Sequence, residues 1–292
     1  MSGMLNPPEN QGSVHGSTGA GCHQWAGLDA GPVVMGVLNI TPDSFSDGGD
    51  TLATAVAIAA GRRMIADGAG ILDIGGESTR PGAPPVSPKD EQSRILPVIA
   101  GLVGRGAPLS VDTRNADTMA AALDAGVTIV NDVSALSYDP EAAPLIADRG
   151  CPAVLMHMRG SPATMQTYAT YGDIAAEVLA ELAERVTAAQ AAGIDRSQIA
   201  VDPGIGFAKT AEQNIILLQR LPILLGLGCR VVVGVSRKNF IGVLGGAANP
   251  KDRMPGSIAA GLFALSRGAS ILRAHDVAAT VQAVRIWQAL AG

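Results

Sequence analysis

Short apolar runs rich in β-branched residues alternate with helix-like stretches eight times between Pro32 and the C-terminus. The strand-like runs fall at 33–38, 71–74, 109–111, 128–130, 153–156, 199–201, 231–235 and 270–272. Between and after them lie helical patterns at 52–66, 89–103, 116–125, 140–148, 174–192, 212–221, 257–267 and 277–290. Continuous apolar strands separated by helices predict a parallel sheet buried on both faces. Glycines lead back into the strands at Gly68, Gly126 and Gly268, where a left-handed residue ends a helix. Eight such units in roughly 250 residues match a closed (β/α)8 TIM barrel. A doubly wound open sheet is the alternative, although no GxGxxG follows an early strand to support a dinucleotide site.

Composition excludes several function classes. The chain has 292 residues, 47% of them hydrophobic but only 3% aromatic, which suits a large core of small aliphatic side chains. A net charge of −5 with no sustained basic block argues against nucleic acid and anionic membranes as partners. The three cysteines, Cys22, Cys151 and Cys229, are widely spaced, so neither a disulfide frame nor a zinc site is expected. No apolar run reaches the roughly 18 residues of a membrane helix, and no signal peptide opens the chain. These features predict a cytoplasmic protein. Residues 1–30, rich in Gly, Ser, Asn and Pro, read as a disordered leader, and 31–292 as a single domain.

The strand ends carry the chemistry. Residues 199–209 read IAVDPGIGFAK, an apolar strand that runs into Asp202 and is stopped by Pro203-Gly204. The others end likewise, at Asn39, Gly75 to Arg80, Asp112 to Arg114, Asn131-Asp132, His157, Ser236 to Lys238 and Arg273 to Asp276. In a barrel this asymmetry gathers the polar groups around the C-terminal mouth, where barrel active sites lie. Asp112, Asn131 and Asp202 offer acceptors and an amide to a flat, nitrogen-rich heterocycle. Lys238, Arg80, Arg237, Arg273 and His275 offer positive charge to phosphate or carboxylate. The polar loop 40–49 is long enough to close as a lid. Asn39 together with phosphate oxygens suits Mg²⁺, which keeps few protein ligands. Some candidates have plainer readings: Arg114 and Arg237 can pair with neighbouring acids, and His157 lies in an otherwise apolar strand.

The blocks GVLNITPDSFSDGG (36–49), LDIGGESTRPGA (72–83), SVDT (110–113), NDVSAL (131–136), LMHM (155–158), DPGIGFAK (202–209), GVSRK (234–238), GSIAA (256–260) and RAHDV (273–277) make the chain resemble the dihydropteroate synthases. They span about 31–292, one block at nearly every strand end. The resemblance implies a usually dimeric barrel that joins 6-hydroxymethyl-7,8-dihydropterin pyrophosphate to p-aminobenzoate with Mg²⁺. It implies that Asp112, Asn131, Asp202 and Lys238 hold the pterin between apolar walls at Met156 and Phe207. Asn39, Thr79, Arg273 and His275 would take the pyrophosphate, with Asn39 also the metal ligand. Phe45, Thr79, Arg80, Pro81, Ser236, Lys238 and Asn239 would frame the p-aminobenzoate, which sulfonamides imitate. Asp112, Lys238, Arg273 and His275 would be catalytic. Two residues depart from the family pattern: Ala135, where Gly is common, and Asn239, where Ser is common. Competing readings are a related pterin-binding methyltransferase, a Schiff-base aldolase using Lys238, and a catalytically silent homologue.

Overall fold

The computed structural model describes Trp25 and residues 31–41, 49–78, 82–83 and 85–291, with the backbone alone at 49–52. Eight parallel strands close a barrel in sequence order, the first pairing with the last. They are β1 (Val33–Asn39), β2 (Ile71–Gly75), β3 (Leu109–Asp112), β4 (Ile129–Asp132), β5 (Ala153–Met156), β6 (Ile199–Asp202), β7 (Arg230–Val233) and β8 (Ile271–Ala274). The open-sheet alternative is thereby ruled out.

Helices cover the outside: α1 (Gly49–Ala66), α2 (Pro88–Leu102), α3 (Ala116–Asp124), α4 (Ala142–Arg149), α5 (Ile174–Ala191), α6 (Ala211–Gln219), α7 (Asn239–Gly245), α8 (Met254–Ser266) and α9 (Val277–Ala291). Local chemistry fixes their ends. Asp173 caps the first amides of α5, and Thr210 and Gln213 form a reciprocal capping box on α6. Gly68, Gly126 and Gly268 take φ of +98°, +101° and +96°, the conformation expected of them. Helix α8 begins at Met254, before the expected 257, because Pro255 sits in the first turn, where its missing N–H is not needed. Helix α7 is not among the helices read from periodicity; NFIGVLG is too short and glycine-rich to carry a helical period.

Strand side chains alternate between two apolar layers. Outward residues such as Leu72, Val111, Val130, Leu155 and Val201 pack against the helices. Inward residues Met35, Ile71, Ile129, Val154, Ala200, Val232 and Ile271 fill the lower barrel. Trp25 closes this floor at 3% exposure, with the Arg230 guanidinium over its ring. It falls within the stretch read as a leader; residues 1–24 and 26–30 of that stretch lie outside the described residues, as does most of the expected lid. Among the described residues no helix is long and apolar enough to cross a membrane.

Candidate active site

Two residues further along each strand, the inward face changes character. Ile71 is followed by Asp73, Ile129 by Asn131, Val154 by Met156, Ala200 by Asp202 and Ile271 by Arg273. Several strands extend one residue beyond the apolar run, so Asn39, Asp112 and Asp202 are the last residues of β1, β3 and β6. Backbone pairing therefore fixes them in register: Asn39 opposite Gly75, Gly75 opposite Asp112, Asp112 opposite Asn131, and Met156 opposite Asp202. Gly75 leaves space that a Cβ would lose, since that atom would meet the Asp112 Cβ at 3.3 Å.

The hub of the cluster is a residue hidden from the strand-end reading. Asp73 is fully buried and accepts from Ser110 Oγ at 2.7 Å, Asn131 Nδ2 at 2.9 Å and Arg273 Nε at 2.6 Å. Arg273 Nη2 also donates to Asp112 Oδ2 at 2.6 Å, so one guanidinium bridges two carboxylates. The signal was present as an acid in the middle of the apolar run ILDI. A carboxylate in a buried strand needs donors around it.

Electrostatics follow from burial. Desolvation pushes the Asp112 carboxyl up to about 7, opposed by Arg273 and reinforced by the nearby Asp73. Asp202 is also raised by burial, countered by the Gly204 amide, which donates to its Oδ1 at 2.7 Å, and by Lys238 and Arg273. Burial and then Arg273 lower the Lys238 ammonium to about 8; its Nζ lies 4.0 Å from the centre of the Phe207 ring. Burial first, then Arg273, Arg237 and Lys238, depress His275 to about 3. His275 is thus neutral and does not supply the positive charge expected of it. Its Nδ1 lies 3.0 Å from Ser236 Oγ, which also accepts from the His275 amide.

Other expected residues take structural roles. Arg237 forms a two-point pair with Asp276, and Arg114 does so with Glu77, so neither presents an unpaired charge. Asp132 accepts from the Ser134 amide and hydroxyl and from the Leu136 amide, holding Ala135 and Leu136 at φ of 52° and 58°. Met156 and Phe207 belong to one apolar cluster with Val133, Met165 and Ala208. Asn239 opens α7 directly after Lys238. Phe45, Thr79, Arg80 and Pro81 lie outside the described residues, so their expected places in the site are not described.

The mouth thus brings the apolar side chains Met156 and Phe207, which share one cluster, close to the buried carboxylates Asp112 and Asp202, the Asn131 amide and the cations Lys238 and Arg273. A planar heterocycle with N–H donors and a charged substituent fits those properties.

Known proteins similar to this chain over most of its length include dihydropteroate synthases. Residues 35–275 match the family described as pterin binding enzyme. A dihydropteroate synthase from Synechocystis sp. is 46% identical over 258 residues, which is 88% of this chain and 89% of that protein. The Xanthomonas albilineans dihydropteroate synthase, solved with 4-aminobenzoic acid, superposes with a TM-score of 0.86 at 49% identity, covering 91% of this chain and 94% of its own. Its complex with 7,8-dihydropteroate gives a TM-score of 0.83 at 46% identity over 91% and 95% of the two chains. The match over residues 35–275, together with these identities over about nine-tenths of the chain, makes this chain a member of the pterin-binding enzyme family.

Proposed function

We infer that this chain is a dihydropteroate synthase, a transferase of folate biosynthesis. It condenses (7,8-dihydropterin-6-yl)methyl diphosphate with 4-aminobenzoate to give 7,8-dihydropteroate and diphosphate. The observation that carries this reading is the Asp73–Arg273–Asp112 bridge beside Asp202 and Lys238, within a chain that matches synthases over about nine-tenths of its length.

The residues suggest how the reaction is divided. Asp202, Asp112 and Asn131 would take the N–H groups and ring edge of the pterin, with Met156 and Phe207 against its faces. Departure of diphosphate breaks the C–O bond at the methylene and leaves developing positive charge delocalised into the electron-rich dihydropterin. The buried carboxylates Asp112 and Asp202 would stabilise that charge, while Arg273 and the neutral His275 would bind the departing oxygens. The arylamine nitrogen then forms the new C–N bond and releases a proton. A neutral arylamine is already nucleophilic, so no strong general base is required. Ser236, Lys238 and Asn239 lie where strand β7 gives way to α7 and would frame the benzoate; Phe45, Thr79, Arg80 and Pro81 would complete that pocket and exclude water.

Magnesium fits this donor set as an ion carried by the diphosphate. Asn39 presents a half-buried hard oxygen donor at the end of β1. Among the described residues no group of three His, Cys, Asp or Glu side chains is spaced to hold a metal. Asn39 would therefore share the ion with phosphate oxygens, and the ion would neutralise charge on the leaving group. A homodimer would bury the apolar side chains exposed on α7 to α9, including Val243, Leu244, Phe263 and Ile286. The widely separated thiols suit the cytoplasm.

Diphosphate release from the pterin diphosphate, followed with and without 4-aminobenzoate, tests the reading. Amine-dependent release with dihydropteroate as product is expected. Tight pterin binding without amine-dependent release would instead mark a catalytically silent homologue.

A further inference from the structure

Behind the proposed pterin site lies a buried lysine that the reaction described above does not use, its amine lowered to about 7 by burial. Lys209 is 5% exposed, and its Nζ donates to the carbonyl oxygens of Gly204 at 3.1 Å and Phe207 at 2.9 Å. It also lies 2.9 Å from Nδ1 of His157. The backbone is bent to suit. Gly204, Gly206 and Ala208 take φ of +67°, +84° and +48°, which curls the segment until the two carbonyls converge on one point. A side chain at Gly204 would overlap the His157 carbonyl, so the β6 loop rests directly on the end of β5. From the far side, Asn214 Oδ1 accepts from the Gly206 amide at 2.7 Å.

His157 fixes the other end. Its Nε2 lies 2.9 Å from Glu181 Oε2, and Glu181 is in turn paired with Arg159. A carboxylate can only accept, so Nε2 carries the proton and Nδ1 is the acceptor for the lysine ammonium. His157 follows Met156 in the chain, and Lys209 grips the carbonyl of Phe207. One lysine thus joins the two segments that carry Met156 and Phe207, the apolar surface that would face the heterocycle. The Phe207 segment also seats the substrate-facing cation, because Lys238 Nζ stands over the Phe207 ring and its Cδ would lie 2.9 Å from a Cβ at Gly206.

We propose that Lys209 is a positioning residue for the pterin, fixing the relative placement of Met156 and Phe207 through the Gly204 and Phe207 carbonyls and His157. This rests on the pterin reading of the site and adds to it a residue that touches no substrate. The alternative is a lysine that only stabilises the fold.

The test is calorimetric binding of a pterin lacking the leaving group to the full-length wild type and variants, with steady-state kinetics and thermal melts. Lys209→Met keeps the length but removes the side-chain donor from the Phe207 carbonyl and Nδ1, and leaves the Gly204 carbonyl with only the Phe207 amide at 3.0 Å. It is expected to weaken pterin binding about tenfold or more, with the KM for 4-aminobenzoate unchanged at saturating pterin. A lower melting temperature with unaltered pterin affinity per folded molecule would overturn the proposal. Should Lys209→Met fail to fold, His157→Asn and His157→Leu decide. Asn retains an acceptor close to the Nδ1 position and is expected to keep most of the affinity, whereas Leu loses it. Equal affinities in those two variants would overturn the proposal. A wild type that binds no pterin would instead remove the functional reading itself, and this inference with it.

Discussion

The floor and the mouth of the barrel are built on the same inward face of the same strands, two residues apart, yet they share almost no chemistry. At the floor, Ile71, Ile129, Val154, Ala200, Val232 and Ile271 pack against one another and Trp25. At the mouth, Asp73, Asn131, Asp202 and Arg273 occupy the equivalent inward positions and are held by hydrogen bonds instead of dispersion. Backbone strain is divided in the same way. Among the described residues, the non-glycine residues at positive φ are Ala135, Leu136, Ala208 and Arg237, all in loops that follow β4, β6 or β7 at the mouth. Strain and buried charge are both unfavourable unless the surroundings enforce them, and they concentrate where a ligand must be met. The apolar floor supplies the rigidity that lets the mouth carry both.

Substitutions can separate the two regions. The largest effect is expected from Asp73→Ala, which leaves Arg273 and Asn131 short of an acceptor in the interior. Unfolding free energy should fall by about 3 to 5 kcal/mol in denaturant titrations, with catalytic efficiency falling by at least about a hundredfold. Ile71→Ala, two residues earlier, should cost a similar or smaller amount, about 2 to 4 kcal/mol, because it opens a cavity in the floor. Its turnover per folded molecule should match wild type; a selective loss of turnover would blur the distinction between floor and mouth.

Titration offers a third contrast. Burial raises Asp112 to about 7 in the folded chain, above its unfolded value of 3.8. As pH falls below 7 the folded state takes up a proton that the unfolded state still lacks, so this group favours folding increasingly down to pH 4. Pterin binding should move in the opposite direction, weakening up to about tenfold per pH unit below 7, because the neutral acid loses its charge and one of its two acceptor oxygens. Calorimetry at several pH values checks this, and Asp112→Asn should flatten the profile. The smallest effect is expected at Ala135. Replacement by Gly relieves the left-handed cost at the price of added chain entropy, a net gain of about 0.5 to 1 kcal/mol in thermal melts.

Much of this division could be read in the sequence. The eight apolar runs place every strand, and the polar residue closing each run places Asn39, Asp112, Asn131, Asp202 and Arg273 at the mouth. Asp73 escaped because it lies inside an apolar run rather than at its end. Reading each strand with period two, with its inward face considered separately, would have exposed it. Lys209 stood within DPGIGFAK, but its partners are backbone carbonyls brought together by left-handed turns, and residue types do not reveal those. The neutrality of His275 likewise depends on burial and on three cations converging on it, Arg237 and Lys238 from the loop after β7 and Arg273 from β8, which only the folded barrel brings together.

On the proposed function, the mouth layer, and not the barrel as a whole, recognises the pterin. Calorimetric titration of a pterin onto Asp202→Asn beside Ile71→Val tests it most directly. No measurable binding to Asp202→Asn is expected, since an amide cannot accept both hydrogen bonds from the heterocycle edge, with wild-type affinity for Ile71→Val. Near-normal pterin affinity in Asp202→Asn would contradict it.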